Sequence, residues 1–204
     1  MKQLLLAVLI IVVLGCRGKE EEKTPAIDLG QPQRIGNIIL PLKVGTSWIY
    51  HVYAMDTSTQ KMRVFLIDTM RVLRDTVIEN TRWHEIDGLQ GGHGYAVNWS
   101  DGLWFVRPGD QPFLFAKYPA EAGDEYKSVI SGVEVTTKVV ASDQKVTSPA
   151  GEFFCYKYAQ SVGPDKVTTN YYFAPGVGLI RTEIMDRSGV SPAAFSILVE
   201  VKGR

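Results

Sequence analysis

The pattern of apolar and polar residues divides this chain of 204 residues into two unlike parts. Residues 4–14 form one unbroken apolar run, LLLAVLIIVVL, and residues 17–23 then change abruptly to charge. From residue 41 onward, apolar and polar residues alternate over short stretches, and these stretches are separated by turn residues. Alternation with a period of two is typical of β-strands with one buried face, so this second part predicts a β domain.

The alternation is clearest at the two ends of the β domain. In residues 46–55, Trp48 and Tyr50 fall on the same face, and residues 195–201 show the same period of two. Aromatic and β-branched residues at this density favour a pleated sheet over a helix. The predicted strands cover residues 46–55, 61–73, 76–86, 95–99, 103–107, 113–118, 128–130, 133–140, 153–159, 167–173, 178–185 and 195–201. An alternative is that Glu79-Asn80 interrupts the third of them.

The segments between these strands are short and rich in turn residues. Residues 88–94 are a glycine-rich turn, and Asp101-Gly102 and Ser131-Gly132 are hairpin signals. After residue 16, no window keeps a helical spacing of apolar residues. The chain is therefore predicted to be all-β, with a single strongly curved antiparallel meander that forms a half-barrel or a barrel-like sheet. Its edges must be closed or covered, because open strand edges template aggregation.

The N-terminal apolar run is too short to span a membrane, which takes roughly 20 residues. Its length and flanks are typical of the apolar core of a signal peptide. Residues 13–16, Val-Leu-Gly-Cys, resemble the lipobox of bacterial lipoproteins, and an ordinary secretory signal would show an A-x-A-like cleavage site that is absent here. The resemblance implies a signal peptide over residues 1–15 and lipidation of Cys16. Because Arg17 and not aspartate follows, it also implies anchoring in the outer membrane, facing the periplasm.

Residues 16–40 are predicted to form the lipidated cysteine and a flexible tether, and residues 41–204 the antiparallel β domain. Two or more acyl chains on one cysteine make a stable membrane anchor. The tether begins with charged residues and continues with prolines and glycines that interrupt any periodicity. One alternative stays open at its end, where residues 35–40 (IGNIIL) could pack on the domain as its first edge element.

Composition and charge exclude several classes of protein. Twenty-two basic and 22 acidic side chains give a net charge of +0, so no basic surface for nucleic acid is expected. The chain has two cysteines. If lipid occupies Cys16, Cys155 has no partner, and no disulfide framework is expected.

Three segments of the β domain resemble motifs of a known group of proteins. Residues 41–50 (PLKVGTSWIY), 148–158 (SPAGEFFCYKY) and 171–180 (YYFAPGVGLI) resemble the PLKVGxSWxY, PAGxFxCYKY and YFAPGVGL motifs of uncharacterised bacterial lipoproteins. The second and third are also similar to segments of periplasmic proteins with a curved, LolA-like β-sheet. The resemblance implies a fold and no assigned activity. Trp48 is expected to be an anchor of the core.

Histidines and nucleophiles give little support to catalysis or metal binding. The chain has three histidines, His51, His84 and His93. A strand would point His84 and Glu85 to opposite faces, and the glycine-rich turn makes an exposed His93 ordinary, so no metal site is predicted. Ser47 lacks the G-x-S-x-G context of a catalytic serine.

The remaining candidates leave the chain without a predicted active site. Cys155 lies within an apolar strand, where a small buried side chain is expected and not a reactive thiolate. The scattered carboxylates could still meet in the fold, which the sequence alone does not decide. They are Asp68, Glu85, Asp87, Glu134 and Glu183. The prediction is that the protein is not an enzyme and uses no cofactor.

Aromatic residues recur along the whole β domain. Most of them are expected in the core, where β proteins use aromatic side chains heavily. The alternative is that some line a partly open concave face that binds an apolar ligand. The predicted function is a membrane-anchored, non-enzymatic binding module of the cell envelope, for a lipid or other apolar ligand at residues that the sequence does not identify. The alternative is a structural lipoprotein that docks on an envelope protein through a strand edge.

Overall fold

A computed structural model describes residues 38–56, 58–89, 92–162 and 167–203. The predicted signal peptide, Cys16 and the tether as far as residue 37 lie outside these residues. The strands are β1 (Ser47–Asp56), β2 (Lys61–Ile78), β3 (Thr81–Leu89), β4 (Gly92–Trp99), β5 (Gly102–Val106), β6 (Phe113–Lys117), β7 (Glu125–Ile130), β8 (Val133–Ser148), β9 (Gly151–Val162), β10 (Val167–Ala174), β11 (Gly178–Met185) and β12 (Pro192–Lys202).

All twelve strands belong to one antiparallel sheet, in the order β6-β5-β4-β3-β2-β1-β12-β11-β10-β9-β8-β7. The first and last strands pair with each other at its centre, so the chain meanders outward to β6 and then returns from β7. The predicted all-β, strongly curved meander is confirmed, and the sheet is a nearly closed barrel. No helix long and apolar enough to cross a membrane occurs in the described part of the chain.

The two edge strands, β6 and β7, meet at a seam that side chains close. The hydroxyl of Tyr126 on β7 donates a hydrogen bond of 2.9 Å to the carbonyl of Phe115 on β6. Two residues further along β7, the Ser128 hydroxyl donates to the carbonyl of Leu114 at 3.0 Å. Carbonyl groups of the β6 edge are therefore occupied from within the molecule, which protects this edge from pairing with another chain.

One half of the barrel is filled by large side chains from the inward-facing positions of the strands. Trp48 is fully buried, and its indole Nε1–H donates to the carbonyl of Val177 at 2.7 Å, which confirms its predicted role as a core anchor. The ring of Phe115 packs edge-on against Tyr171 and Phe173 at centroid distances of 5.1 and 5.8 Å. Such edge-to-face contacts add stability beyond the area that they bury.

Residues 38–40 close this filled end of the barrel. Ile39 and Leu40 are completely buried. The backbone fixes them, because the Gly176 amide donates to the Ile38 carbonyl and the Asn98 side-chain amide donates to the Leu40 carbonyl, both at 2.8 Å. These three residues fall at the end of the predicted tether. They pack on the domain, as the alternative supposes, but as a bend that closes the barrel and not as the first edge element, since the edge strands are β6 and β7.

Gly178 explains why the 171–180 segment needs glycine at its turn. Its φ of +107° lies in the region that side chains disfavour, and an added Cβ would lie 2.5 Å from Cδ1 of Leu40. The turn of residues 175–177 joins β10 to β11 and passes directly beside the buried N-terminal segment. Proline, glycine and close packing thus act together at this end of the barrel.

Two predicted boundaries are wrong. A break was expected between residues 73 and 76, but β2 continues to Ile78. The turn lies instead at Glu79-Asn80, the alternative interruption, and both residues have positive φ. The strand continues because a register shift between Val72 and Arg74 accommodates the extra residue Leu73 as a bulge. Similar shifts between Val139 and Gln144 let β8 run on to Ser148, beyond the predicted end at residue 140.

The predicted glycine-rich turn over residues 88–94 is also shorter than expected. β3 extends to Leu89 and β4 begins at Gly92, so His93 lies on a strand opposite Asp87. Glycine at position 88 permits β3 to lie this close to β2, since an added Cβ there would lie 2.4 Å from the carbonyl oxygen of Thr69. The glycines in this stretch therefore serve close strand packing as well as a turn.

Candidate functional site

A cavity of about 310 Å³ lies inside the barrel, on the side away from residues 38–40. It is bounded by β1, β2, β10, β11 and β12, with β3 contributing one glycine. Its lining residues are Tyr50, Val52, Asp68, Gly88, Thr169, Tyr171, Leu179, Thr182, Ile184, Ala194, Phe195 and Ser196.

The cavity exists because small side chains occupy inward-facing positions in this half of the barrel. The register places Tyr171 opposite Thr182, Thr182 opposite Ser196, and Ser196 opposite Val52, so one row crosses four strands. The next row toward the open end includes Ala194. In the filled half, the corresponding positions carry tryptophan, leucine, isoleucine and phenylalanine. Threonine, serine and alanine leave space that those larger side chains would fill.

Tyr50 forms the floor of the cavity. Its hydroxyl donates to the carbonyl of Leu179 at 2.9 Å, and both atoms are buried. Burial raises the pKa of Tyr50 well above its ordinary value, and the nearby charge of Asp68 raises it further. The phenol is therefore neutral with its hydrogen committed to the protein, and Tyr50 contributes apolar ring surface to the cavity.

Asp68 is the one charged side chain among the described residues that line the cavity. It lies opposite Tyr50 in the pairing of β1 with β2 and is half-buried. Its Oδ1 accepts a hydrogen bond of 2.8 Å from the backbone amide of Thr69, which fixes the orientation of the carboxylate. An ionised carboxylate offers hydrogen-bond acceptors only, so Asp68 adds acceptors and no donor to the cavity wall.

The mouth of the cavity is apolar. Ile184 lines the cavity and is 46% exposed, and Leu66, which pairs with Val52 across the sheet, is 42% exposed. Exposed apolar groups around an opening favour entry of an apolar molecule.

Beside the mouth, half of β2 has a sheet partner on one side only. Residues 61–70 pair with β1, whereas the pairing with β3 begins at Arg71. Three apolar side chains on this half are at least half exposed: Val64, Phe65 and Ile67. Among the residues that the structure describes, this half of β2 is therefore a strand edge with an apolar surface.

The histidines that sequence analysis considered do not come together. His93 Nε2 lies 2.9 Å from Glu85 Oε1, and Arg74 Nε donates to the other oxygen of the same carboxylate at 2.5 Å. His84 Nδ1 instead lies 2.8 Å from Asp75 Oδ1. Within the described ranges, no group of three or more metal-ligating side chains is close enough to hold an ion.

These contacts explain the pKa shifts at both clusters. The hydrogen bond from His93 lowers the pKa of Glu85 most, and the hydrogen bond from Arg74 lowers it further. Burial lowers the pKa of His84 although the Asp75 charge opposes it. Each carboxylate also forms an ion pair with an arginine on the neighbouring strand, Glu85 with Arg74 and Asp75 with Arg82, and such cross-strand pairs stabilise a sheet surface.

The scattered carboxylates likewise have separate surroundings. Asp68 lines the cavity, Glu134 forms an ion pair with Lys127 at 2.9 Å, and Asp87 is exposed on β3. Glu183 accepts hydrogen bonds from Tyr172 (2.8 Å) and Asn170 (3.2 Å), and Arg181 Nε lies 2.9 Å from it. These contacts supply each carboxylate with a different set of neighbours.

The two candidate nucleophiles, Cys155 and Ser47, both lie on strands. Cys155 is buried on β9, and burial raises the pKa of its thiol to about 12, as expected of a small buried side chain. Ser47 is the first residue of β1. The lipidation site Cys16 lies outside the described residues.

The cavity residues were not predicted as a site from the sequence, although Tyr50 was placed on the same face as Trp48 and Asp68 was among the carboxylates considered. The available signal was the run of small residues at alternate positions of β11 and β12, with Thr182, Ala194 and Ser196 where a filled core would have large ones. These small residues indicate a cavity only when the register of the four strands β10, β11, β12 and β1 is known.

Comparisons with known proteins add a distant likeness. No protein-family model and no curated protein matches the chain. A crystal structure from Bacteroides fragilis, described as a candidate exported protein with a YmcC-like fold, is 15% identical and covers 82% of this chain and 100% of its own, with a TM-score of 0.45. A candidate lipoprotein from Parabacteroides distasonis is also 15% identical, covering 81% and 99%, with a TM-score of 0.40. Similarity at this level supports no functional inference.

Proposed function

We propose that this chain is a lipoprotein of the cell envelope that binds a small apolar ligand in the cavity of its barrel. In this proposal the lipid on Cys16 holds the protein on the periplasmic side of the outer membrane, and the barrel acts without catalysis. The observation that carries the proposal is the cavity itself, which small side chains keep open inside an otherwise filled barrel.

The size and chemistry of the cavity support a ligand site. Its volume of about 310 Å³ is at the lower end of the range of ligand pockets, about 300–1,000 Å³. Apolar side chains and aromatic rings form most of the wall, while a few hydroxyls and one carboxylate are available to orient a polar group. This combination is typical of sites for small, mostly apolar molecules.

The anchor and the cavity are compatible in position. Residue 38 enters the filled end of the barrel, and the cavity opens away from it. Between Cys16 and residue 38 the chain can extend to roughly 75 Å, at about 3.4 Å per residue. In the proposed arrangement, the lipid therefore leaves the mouth of the cavity free to face the periplasm or a partner.

A cavity-filling substitution tests the proposal. In the mature chain (residues 16–204) with Cys16→Ser, we expect the apolar dye N-phenylnaphthylamine to bind and fluoresce. Ala194→Leu should weaken this binding several-fold, because the larger side chain occupies the cavity. The matched control is Ala150→Leu, which adds the same atoms at an exposed turn. Unchanged dye binding by a folded Ala194→Leu variant would contradict the proposal.

A second candidate function is docking through the strand edge of β2, which the exposed half of that strand favours. An extended segment of a partner protein would add a strand beside residues 61–68, with Phe65 and Ile67 as side-chain contacts. A photo-reactive benzoylphenylalanine at position 65 should then form a discrete adduct in cells. The matched control is position 154, where Phe154 is 70% exposed against 73% for Phe65. Equal labelling at both positions would contradict docking at this edge.

A further inference from the structure

We infer that the cavity accepts apolar molecules whose polar end is a hydrogen-bond donor, either a neutral hydroxyl or a positively charged amine, and that it discriminates against apolar acids such as fatty acids. This inference rests on the proposed function of the cavity and specifies the chemical class of its ligand.

The charge of the cavity wall is the first argument. Asp68 is acidic, and none of the described lining residues carries a positive charge that could neutralise an acidic ligand. A ligand carboxylate would lie close to Asp68 in a partly enclosed space, where like charges repel more strongly than in bulk water. An ammonium group in the same place would be attracted.

The cations on neighbouring strands do not face the cavity. Phe195 borders the cavity, but it alternates with Ala194 and Ser196, so its ring lies on the other face of β12. Arg181 lies over that ring at 4.5 Å, and its Nε is 2.9 Å from Glu183. Arg181 alternates with Thr182, a cavity residue, so the two side chains project to opposite faces of β11. Arg63, near the tip of β2, forms an ion pair with Asp56 at 3.1 Å. These contacts hold both guanidinium groups with carboxylates outside the cavity.

The position of Asp68 is the second argument. The Thr69 amide fixes its Oδ1, and the carboxylate contributes to the raised pKa of Tyr50 on the cavity floor. Its charge therefore acts within the cavity and not only at the protein surface. Because the carboxylate is an acceptor, a ligand group must donate a hydrogen to satisfy it.

Three small side chains, Thr169, Thr182 and Ser196, add hydroxyl groups to the cavity wall. Thr182 and Ser196 are paired neighbours on adjacent strands, and Thr169 lies one row toward the mouth. A hydroxyl can both donate and accept. Together with Asp68, these groups suit a ligand end that exchanges hydrogen bonds without bringing negative charge.

The test uses three probes that share a chain length and differ in the polar end: dodecylamine, dodecanol and dodecanoate. Each displaces N-phenylnaphthylamine from the mature Cys16→Ser chain at pH 7.5, below the concentration at which the probe forms micelles. We expect the amine and the alcohol to displace the dye. Dodecanoate should need a roughly tenfold higher concentration, because it loses one charge-assisted hydrogen bond and is repelled by Asp68. Asp68→Asn should bring the amine and the acid to within about threefold of each other.

The control is Asp143→Asn, which removes the same charge from an exposed position on β8, and it should leave the order of the probes unchanged. If dodecanoate displaces the dye as well as dodecylamine does, the inference is overturned while the proposed apolar site stands. If the dye itself does not bind, or Ala194→Leu does not weaken its binding, the proposed function fails as well. An Asp68→Asn variant that keeps the wild-type order of probes also overturns the inference.

Discussion

At the scale of single residues, Glu85 shows how the outer surface of the sheet is ordered. It is 8% exposed, and its two oxygens contact His93 and Arg74 from the neighbouring strands. A carboxylate with two such partners is favoured in its ionised form. Glu85 therefore links three strands through one charge.

The contribution of Glu85 to stability depends on pH. Its pKa in the folded chain lies below the ordinary value of 4.5, so its stabilisation is present above pH 4.5 and is lost as the pH falls through the folded pKa. We expect Glu85→Gln to lower the free energy of unfolding at pH 7 and to differ less from the wild type at pH 3. Urea denaturation at both pH values measures this.

A control separates this effect from the general loss of stability in acid. Glu134→Gln removes an exposed carboxylate, 63% accessible, whose ion pair with Lys127 also crosses two strands. Exposed ion pairs contribute little to stability. The free energy of unfolding of this variant should therefore stay close to that of the wild type at both pH values. If Glu85→Gln lowers the free energy of unfolding by the same amount at pH 7 and pH 3, ionisation of Glu85 does not contribute to stability.

Residue roles were predictable where a local pattern determines them. Trp48 was expected in the core from the alternation of β1, and Cys155 as a small buried side chain from its apolar neighbours. The role of Asp68 was not predictable, because it depends on Tyr50 across the sheet and on Ser196 and Thr182 more than 100 residues away. Sequence spacing carries no information on contacts of that range.

At the scale of elements, the segment of residues 38–40 acts as the closing piece of the barrel. Leu40 is completely buried, its carbonyl accepts from Asn98, and its side chain packs where Gly178 leaves room. A short segment without regular secondary structure thus contributes core contacts that the strands alone do not supply.

We expect Leu40→Ala to lower the free energy of unfolding by about 2–5 kcal/mol, the usual cost of a cavity in a well-packed core. The matched control is Leu73→Ala, at an exposed bulge in β2 where the leucine is 42% accessible, and it should cost about 1 kcal/mol or less. Chemical denaturation of both variants measures the difference. Equal destabilisation would mean that residues 38–40 do not belong to the folded core.

The existence of the elements was predictable and their ends were not. Alternation and turn residues predicted strands in all twelve places, and the hairpin at Ser131-Gly132 was found where expected. The lengths of β2 and β8 depend on bulges, which add a residue without changing the composition of the strand. A bulge reverses the alternation beyond it, so the sequence pattern suggests an end where the strand continues.

At the scale of the whole molecule, the barrel combines a filled half, an open half and a single seam. The central pairing of β1 with β12 brings the two ends of the domain together, and the seam between β6 and β7 is closed by hydroxyl groups. The sequence predicted a strongly curved sheet with closed or covered edges and left open whether it is a half-barrel or barrel-like. The way in which the sheet closes was not predictable, because the seam depends on side-chain hydrogen bonds between its two edges.

The proposed anchor belongs to this scale because it decides where the barrel acts. In a bacterial host that processes lipoproteins, we expect the wild-type chain to incorporate an alkyne-tagged fatty acid and to fractionate with membranes. Cys16→Ser should lose the label and leave the membrane fraction. Cys155→Ser is the matched control and should keep both properties, since Cys155 is buried within β9. Fatty-acid labelling of the Cys16→Ser variant would contradict lipidation at this residue.

The central claim is that the open half of the barrel holds an apolar ligand. Native mass spectrometry of the mature Cys16→Ser chain, incubated with a lipid extract of its own cell envelope, tests it most directly. We predict a stoichiometric adduct of a small apolar molecule that denaturation releases and that Ala194→Leu reduces while Ala150→Leu does not. A clean mass of the protein alone, or an adduct that the cavity-filling substitution leaves unchanged, would contradict the claim.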